Sequence, residues 1–153
     1  MKLAEALAER SDIQARLEQL KVRASQSVRI QEGDTPDEDP ASIIAEAERL
    51  HDRLGTLIAR INATNASAPF DETRTISDAI TARDIASKRR AFFSQLADAA
   101  AARQDRYTRT EVKYVAAYPV AKLRDTADAA AKEYRELDTR LQECNWTTEL
   151  SGE

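Results

Sequence analysis

A chain of 153 residues suits one domain of ordinary size, and a core of that size needs no disulfide or metal to hold it. One third of the residues are charged, the net charge is −4, and there are only 3 glycines and a single cysteine, a balance that favours long helices or a coiled coil over disorder or a disulfide framework. Charges interrupt the first nine residues and no apolar run approaches the ~20 residues of a membrane span, so the sequence predicts a cytoplasmic protein.

The first predicted helix covers residues 3–25. Its apolar residues recur at alternating steps of three and four, as they do along one face of a helix. They are Leu3, Ala6, Ile13, Leu17, Leu20 and Ala24. The pattern then changes, because Val28 and Ile30 alternate with polar residues. This alternation predicts a short strand over residues 27–31.

The next two predicted helices cover residues 40–64 and 76–107. Asp39 is a suitable N-cap for the second helix, and Pro40 is pre-set for its first turn. Thr75, followed three residues later by an aspartate, predicts a capping box for the third. The second helix has a heptad seam of Ile43, Ala47, Leu50, Leu54, Leu57 and Ile61. The third has a broader apolar pattern, which predicts a wide buried face of Ile76, Ala79, Ile80, Ile85, Phe92, Phe93, Leu96 and Ala100.

The stretch TRTEVKYVAAYPV, residues 108–120, interrupts this helical pattern. Its apolar and polar residues alternate, which predicts a second short strand over residues 111–117. One face of that strand would comprise Val112, Tyr114, Ala116 and Tyr118. The fourth predicted helix covers residues 120–144 and has the most regular heptads. They are Val120, Leu123, Ala127, Ala130, Tyr134, Leu137, Leu141 and Cys144.

The sequence therefore predicts a mainly α protein with one domain over residues 1–153. Four long antiparallel helices would form a bundle or coiled-coil-like core with a small two-stranded β element, in the order helix–strand–helix twice. An isolated two-stranded ribbon is marginal in water, and a free strand edge invites pairing. We therefore expect a homo-oligomer, with Trp146 anchoring the C-terminal tail into a groove or an interface. The predicted interface and packing residues are Val28, Ile30, Val112, Tyr114, Ala116, Tyr118 and Trp146.

Five blocks of the sequence resemble a known family. They are MKLAEALAERSDIQARLEQL, RIQEGDTPDEDP, LIARINATN, ADAAAARQDRYTRTEVKYV and LDTRLQECNWTTEL. Together they are similar to an uncharacterised bacterial family, largely actinobacterial, whose members often carry the label septicolysin. The resemblance spans essentially the whole chain and implies a helical fold with no established activity, cofactor or substrate. The label itself implies a cytolysin. The family usually has an Asp or similar cap before the last helix, whereas this chain has Tyr118 and Pro119 there, so proline geometry must set that helix start.

No residue pattern predicts catalysis, and we expect neither an enzyme nor a cofactor. Cys144 lies on a heptad core position, and His51 is the only histidine, so a nucleophile with a neighbouring base is not indicated. Glu48 and His51 have the Glu-x-x-His spacing of carboxylate-bridged di-iron bundles. Such a site needs a second pair and two further carboxylates, so no metal is predicted for this chain alone. A half-site completed by a symmetric partner and a surface histidine are the two interpretations.

A basic segment covers residues 83–113, which contain eight basic and four acidic residues. The net charge of this segment is +4, and that of the rest of the chain is −8. The patch comprises Arg89, Arg90, Arg103, Arg106, Arg109 and Lys113. Tyr107 and Tyr114 interleave with it, as in stacking platforms for single-stranded nucleic acid. Nucleic-acid domains are usually basic overall, however, and this chain is acidic. The patch is therefore expected to meet the acidic residues 32–39 between subunits or to stay solvated.

The function that these observations favour is that of a non-catalytic, self-assembling helical structural or interaction protein. One alternative is a membrane-active cytolysin, with residues 112–121 as its best amphipathic segment. Another is a weak nucleic-acid or metal-binding protein. The sequence indicates neither a clear nucleic-acid partner nor a clear membrane partner, and it does not identify a protein partner.

Overall fold

A computed structural model describes residues 1–102 and 112–152 of the chain. These residues form four long helices: α1 (Leu3–Ser27), α2 (Pro40–Ser67), α3 (Ile76–Ala100) and α4 (Val120–Thr147). The mainly α prediction is confirmed. Within the two described ranges, no helix is both long and apolar enough to cross a membrane.

The helices contribute to two compact units. The first unit comprises Met1–Pro69 and the chain from Glu143 onward, and the second comprises Phe70–Gln142. Helix α4 therefore begins in the second unit and ends in the first. The single domain over residues 1–153 stays a prediction.

In the first unit, α1 and α2 run antiparallel, and ion pairs fix their register. Each step of seven residues toward the end of α1 is matched by a step of seven or eight residues toward the start of α2. The pairs are Glu9 with Arg53, Arg16 with Glu46, and Arg23 with Glu38. The α1 side chains that are buried beneath them include Ala6, Ile13 and Leu20, which are spaced by whole heptads. This spacing matches the predicted coiled-coil-like seam.

In the second unit, two ion pairs place α3 antiparallel to α4. The Arg83 guanidinium lies 3.1 Å from Asp138, and Arg124 lies 2.9 Å from Asp98. Small and medium side chains form the core between them. The buried residues of these two helices in the second unit are Ile76, Ala79, Ala86, Ala97, Leu123, Ala127, Ala130, Leu137 and Leu141.

The two predicted strands are absent from the described residues, so that part of the prediction is wrong. Ser27 still belongs to α1, and Val28 is its C-cap with helical φ and ψ of −81° and −9°. Residues 29–31 and 112–116 are irregular, and residue 111 lies outside the described ranges. The β-type pairing described is one isolated bridge between Lys2 and Glu149. Alternation over four or five residues did not suffice, because so short a ribbon is marginal in water.

The helix starts follow the predicted caps. Asp39 Oδ1 accepts a hydrogen bond from the Ala41 amide at 3.1 Å, and Thr75 forms the predicted capping box with Asp78. Helices α1, α2 and α4 each continue two or three residues beyond their predicted ends. Helix α3 instead ends at Ala100, seven residues early, and the remaining residues of its predicted span from 103 onward lie outside the described ranges.

Candidate functional site

An apolar groove of about 550 Å³ lies in the second unit, where the end of α3 faces the start of α4. It is lined by Phe93, Leu96, Ala100, Ala117, Tyr118, Leu123 and Thr126. Pro119 sets the start of α4, because its carbonyl accepts hydrogen bonds from the amides of Lys122 and Leu123 at 3.1 and 3.3 Å. The first turn of α4 is thereby fixed immediately after Tyr118, which lines the groove.

Large apolar side chains near the groove in sequence stay exposed to water. Phe92 is 59% exposed and contacts Phe93 edge-on, with ring centroids 5.2 Å apart. Tyr114 and Val115 are 77% and 76% exposed. The expected wide buried face of α3 is therefore wrong in part, since Ile85, Phe92 and Leu96 all face solvent. Helix α3 buries mainly its alanines and Ile76 instead.

All seven predicted interface residues are exposed on the chain. Val28, Ile30 and Trp146 belong to the first unit. The others, Val112, Tyr114, Ala116 and Tyr118, belong to the second. Their contact with another copy stays a prediction.

Leu150 anchors the C-terminal tail within the chain, and a contact of Trp146 with an interface stays a prediction. The Trp146 side chain is 65% exposed, whereas Leu150 is 5% exposed and its amide donates to the Met1 carbonyl at 2.8 Å. The next residue, Ser151, donates its amide to the buried Thr64 hydroxyl at 3.0 Å. Its carbonyl accepts a hydrogen bond from Arg60 Nε at 2.9 Å. The sequence favoured Trp146 as the anchor because it is large and adjoins the heptad seam. The sequence indicates Leu150 only weakly, as a single apolar residue after the helix.

The basic patch is only partly within the described residues. Arg89, Arg90 and Lys113 are exposed there, as is Lys88, whereas Arg103, Arg106 and Arg109 lie outside. Within the described ranges, none of the four exposed cations forms an ion pair. All six residues from 87 to 92 are exposed although they are helical. The middle of α3 is therefore a basic, partly apolar surface.

The acidic loop, residues 28–39, connects α1 to α2. A turn closes at its tip, where the Asp34 amide donates to the Gln31 carbonyl at 3.1 Å and Gly33 adopts a φ of +92°. Hydrogen bonds from the Arg23 guanidinium lower the pKa of the Glu38 carboxyl, and Asp39 caps α2. The loop's remaining acids, Glu32, Asp34 and Asp37, are exposed and form no ion pair within the described ranges.

Glu48 and His51 are both exposed on α2, at the rim of a smaller groove between α1 and α2. His51 Nδ1 lies 2.8 Å from the Ala47 carbonyl oxygen. No group of three or more histidine, cysteine, aspartate or glutamate side chains that could hold a metal occurs in residues 1–102 and 112–152. The pair thus has no further ligand in that part of the chain, and completion by a second copy stays a prediction.

A cation–π cluster around Phe70 precedes α3, and sequence reasoning did not find it. The guanidinium carbons of Arg74 and Arg140 lie 5.2 and 4.7 Å from the ring centroid, and Arg140 also donates to the Phe70 carbonyl. Arg74 forms an ion pair with Asp71 at 2.6 Å. The hydrogen bond from Arg74, helped by the amides of Thr73 and Arg74, lowers the pKa of Asp71 to about 2. In the sequence, only the turn PFDETR indicates that an aromatic ring and an arginine lie close together at this cluster.

The fold and its surface define a helical protein with exposed apolar and charged faces. A model for a family of unknown function (DUF6847) matches residues 10–150, and the chain belongs to this family. A crystal structure described as a functionally unknown conserved protein from Corynebacterium diphtheriae is similar, with 46% identity, a TM-score of 0.92 and coverage of 99% of each chain. No curated protein sequence matches the chain significantly. Neither description mentions an activity or a cytolysin.

Proposed function

We propose that the protein is a non-catalytic helical interaction protein that assembles with copies of itself through the apolar groove and the side chains around it. The main support for self-assembly is that the same unit has an apolar groove and exposed apolar side chains. These are Phe92, Leu96, Tyr114 and Tyr118. Monomeric soluble proteins rarely expose large contiguous apolar patches, and those that do generally use them to bind.

The composition of this surface suits a protein interface. Aromatic residues are enriched at the centres of interfaces, where they are the commonest contributors to binding energy. Burying a side chain such as Phe92 or Leu96 is favourable by about 1.5–3 kcal/mol. Two such residues from each of two copies can therefore supply several kcal/mol toward association.

The same groove is poorly suited to catalysis. Among the described residues that line it, Tyr118 and Thr126 alone have polar side-chain groups, two hydroxyls, and the others are apolar. General acid–base chemistry requires a group that titrates near the working pH. A hydroxyl of tyrosine or threonine does not do so without a base beside it.

Light scattering and sedimentation over a wide concentration range test the proposal. The wild-type protein is expected to be an oligomer at micromolar concentration. Replacing both Phe92 and Leu96 by Gln, which is a good helix former, is expected to raise the dissociation constant at least about 30-fold, or about 2 kcal/mol.

The matched control replaces Val22 and Ile58 by Gln. Both are exposed apolar residues on helices of the first unit, away from the groove in sequence. This control is expected to keep the wild-type mass. A wild-type protein that stays monomeric at the highest concentrations would refute self-assembly, and equal effects of the two double variants would refute the role of the groove.

A further inference from the structure

We propose that the middle of α3 is the docking surface for the acidic loop of a second copy. The inference rests on the proposed self-assembly and specifies which two surfaces meet. The α3 surface comprises Ile85, Lys88, Arg89, Arg90 and Phe92, and it is called the basic face below. Its occupant is the acidic loop, residues 28–39, as defined above.

The cations of the basic face form no ion pair within the described residues. The acids nearest to it along α3 are already engaged, since Asp84 bonds Arg83 at 3.1 Å and Asp98 bonds Arg124 at 2.9 Å. Lys88 and Arg89 present two positive charges on the side of α3 that carries exposed Phe92, and exposed Arg90 adds a third on the adjoining side. A surface of this kind fits a partner that is both acidic and partly apolar.

A second copy's α3 is a poor occupant for the same face. Symmetric packing of α3 on α3 around Phe92 would place three cations of one copy beside three cations of the other. Like charges in close contact oppose association, and a complementary arrangement favours it. The occupant must therefore come from an acidic part of the molecule.

The acidic loop has both required properties. Glu32, Asp34 and Asp37 are exposed and form no ion pair within residues 1–102 and 112–152. Val28 and Ile30, which precede them, are exposed apolar residues. Apolar and acidic groups are thus neighbours in the loop, as apolar and basic groups are on α3, and the loop's one cation, exposed Arg29, lies between Val28 and Ile30.

On both surfaces a charged residue lies within about one turn of an apolar one. Lys88 and Phe92 are separated by one helical turn, about 6 Å along the axis. The turn at residues 31–34 brings its first and last Cα atoms within about 7 Å of each other, which places Asp34 close to the chain that follows Ile30. The loop is also held at its end, because Glu38 is bonded to Arg23 and Asp39 caps α2. A loop that is held in place loses less conformational entropy on binding.

The contact would be made twice in a two-fold dimer, since each copy offers both surfaces. This symmetry allows a decisive test by charge reversal. The helix variant carries Lys88→Glu, Arg89→Glu and Arg90→Glu. The loop variant carries Glu32→Lys, Asp34→Lys and Asp37→Lys. Either variant alone would oppose like charges at both contacts of its own dimer.

Each variant alone is expected to dissociate with a Kd at least about 100-fold above wild type. An equimolar mixture is expected to restore the dimer to within about tenfold of wild type, because opposite charges then meet at both contacts. Sedimentation at fixed ionic strength measures all three Kd values, and circular dichroism checks that each variant is folded. A control variant with Arg49→Glu, Lys122→Glu and Arg135→Glu has the same net charge as the helix variant and is expected to stay dimeric.

Cross-linking of the wild-type protein provides a second measurement that needs no variant. Isotopically light and heavy copies are mixed and treated with a zero-length carbodiimide. Mass spectrometry is expected to find Lys88 joined to Glu32, Asp34 or Asp37 in light–heavy pairs. Linkage of these residues only within one copy, or of Lys88 to other acids alone, contradicts the proposal.

The outcomes distinguish failure of this contact from failure of the proposed self-assembly. A monomeric wild type defeats the proposed self-assembly itself. An oligomeric wild type whose helix and loop variants both keep their mass refutes this contact and leaves self-assembly standing. Dissociation without recovery in the mixture shows that the two surfaces do not meet across copies, and dissociation of the control variant assigns the effect to net charge. Each of these last two results overturns the inference.

Discussion

Replacing Leu150 by Ala is expected to weaken the first unit through the C-terminal tail. The side chain is 5% exposed, and the backbone on either side of it is tied to the N-terminus and to α2. Loss of the side chain therefore removes the apolar contact that holds three hydrogen bonds of the tail in place. These are the bonds from Leu150 N to Met1 O, from Ser151 N to Thr64 Oγ1 and from Arg60 Nε to Ser151 O.

The magnitude follows from the atoms removed. Leu→Ala deletes three carbons, and each buried methylene is worth about 0.8 kcal/mol, which gives about 2.4 kcal/mol. A cavity would add to this cost in a rigid core, where Leu→Ala losses reach about 5 kcal/mol. A tail near the end of the chain can settle into the space, so the expected loss is about 2–3 kcal/mol. For a protein of this size, each kcal/mol lowers the melting temperature by about 2–4 °C.

Urea titration followed by circular dichroism measures the loss, and amide exchange of Leu150 and Ser151 locates it. Trp146→Ala is the matched comparison, because it removes a larger but 65% exposed side chain from the same region. It is expected to change the free energy of unfolding by less than about 0.5 kcal/mol. If Leu150→Ala proves as mild as that, or Trp146→Ala proves the costlier change, the assignment of Leu150 as the tail anchor is refuted.

Two further predictions concern the turns before α3 and α2. The folded pKa of Asp71 is about 2, below its ordinary value of 3.8, because of the hydrogen bond from Arg74. Its stabilising contribution is therefore fully present above about pH 4 and is lost as the pH falls toward 2. Thermal unfolding of Asp71→Asn should depend less on pH in that window than wild type, and an unchanged slope would contradict this. Asp39→Ala removes the cap of α2 and should cost about 1 kcal/mol in urea unfolding; a loss below about 0.3 kcal/mol would contradict the capping role.

Periodicity predicted the helices well because it reports the one face that each must bury. Ala6, Ile13 and Leu20 of α1 are buried as the seam required. The caps at Asp39 and Thr75 were equally predictable, since their hydrogen bonds involve residues two or three positions away. Such local interactions can be read directly from the order of residues.

The failures concern information that the local sequence does not contain. The alternation at Val28 and Ile30 resembles that of a strand, but a strand requires a pairing partner, and alternation does not supply one. Phe92 has the spacing of a core residue, yet the residues that α3 buries are mainly alanines, and the Phe92 ring is exposed to solvent. For the candidate site, the interface residues that the sequence singled out are exposed on the chain, and their part in an interface stays a prediction. The sequence did not reveal the groove, which depends on the end of α3 facing the start of α4.

The discontinuous first unit has a consequence for how the protein is made. Its tail residues are synthesised after the whole of Phe70–Gln142, which is contiguous in the chain. Until then, Thr64 lacks its Ser151 partner, and the space that Leu150 fills is open at one end. The helices that are synthesised first are therefore the last to be completed. A chain that ends before residue 148 would keep all residues of the second unit and lose the tail contacts of the first one.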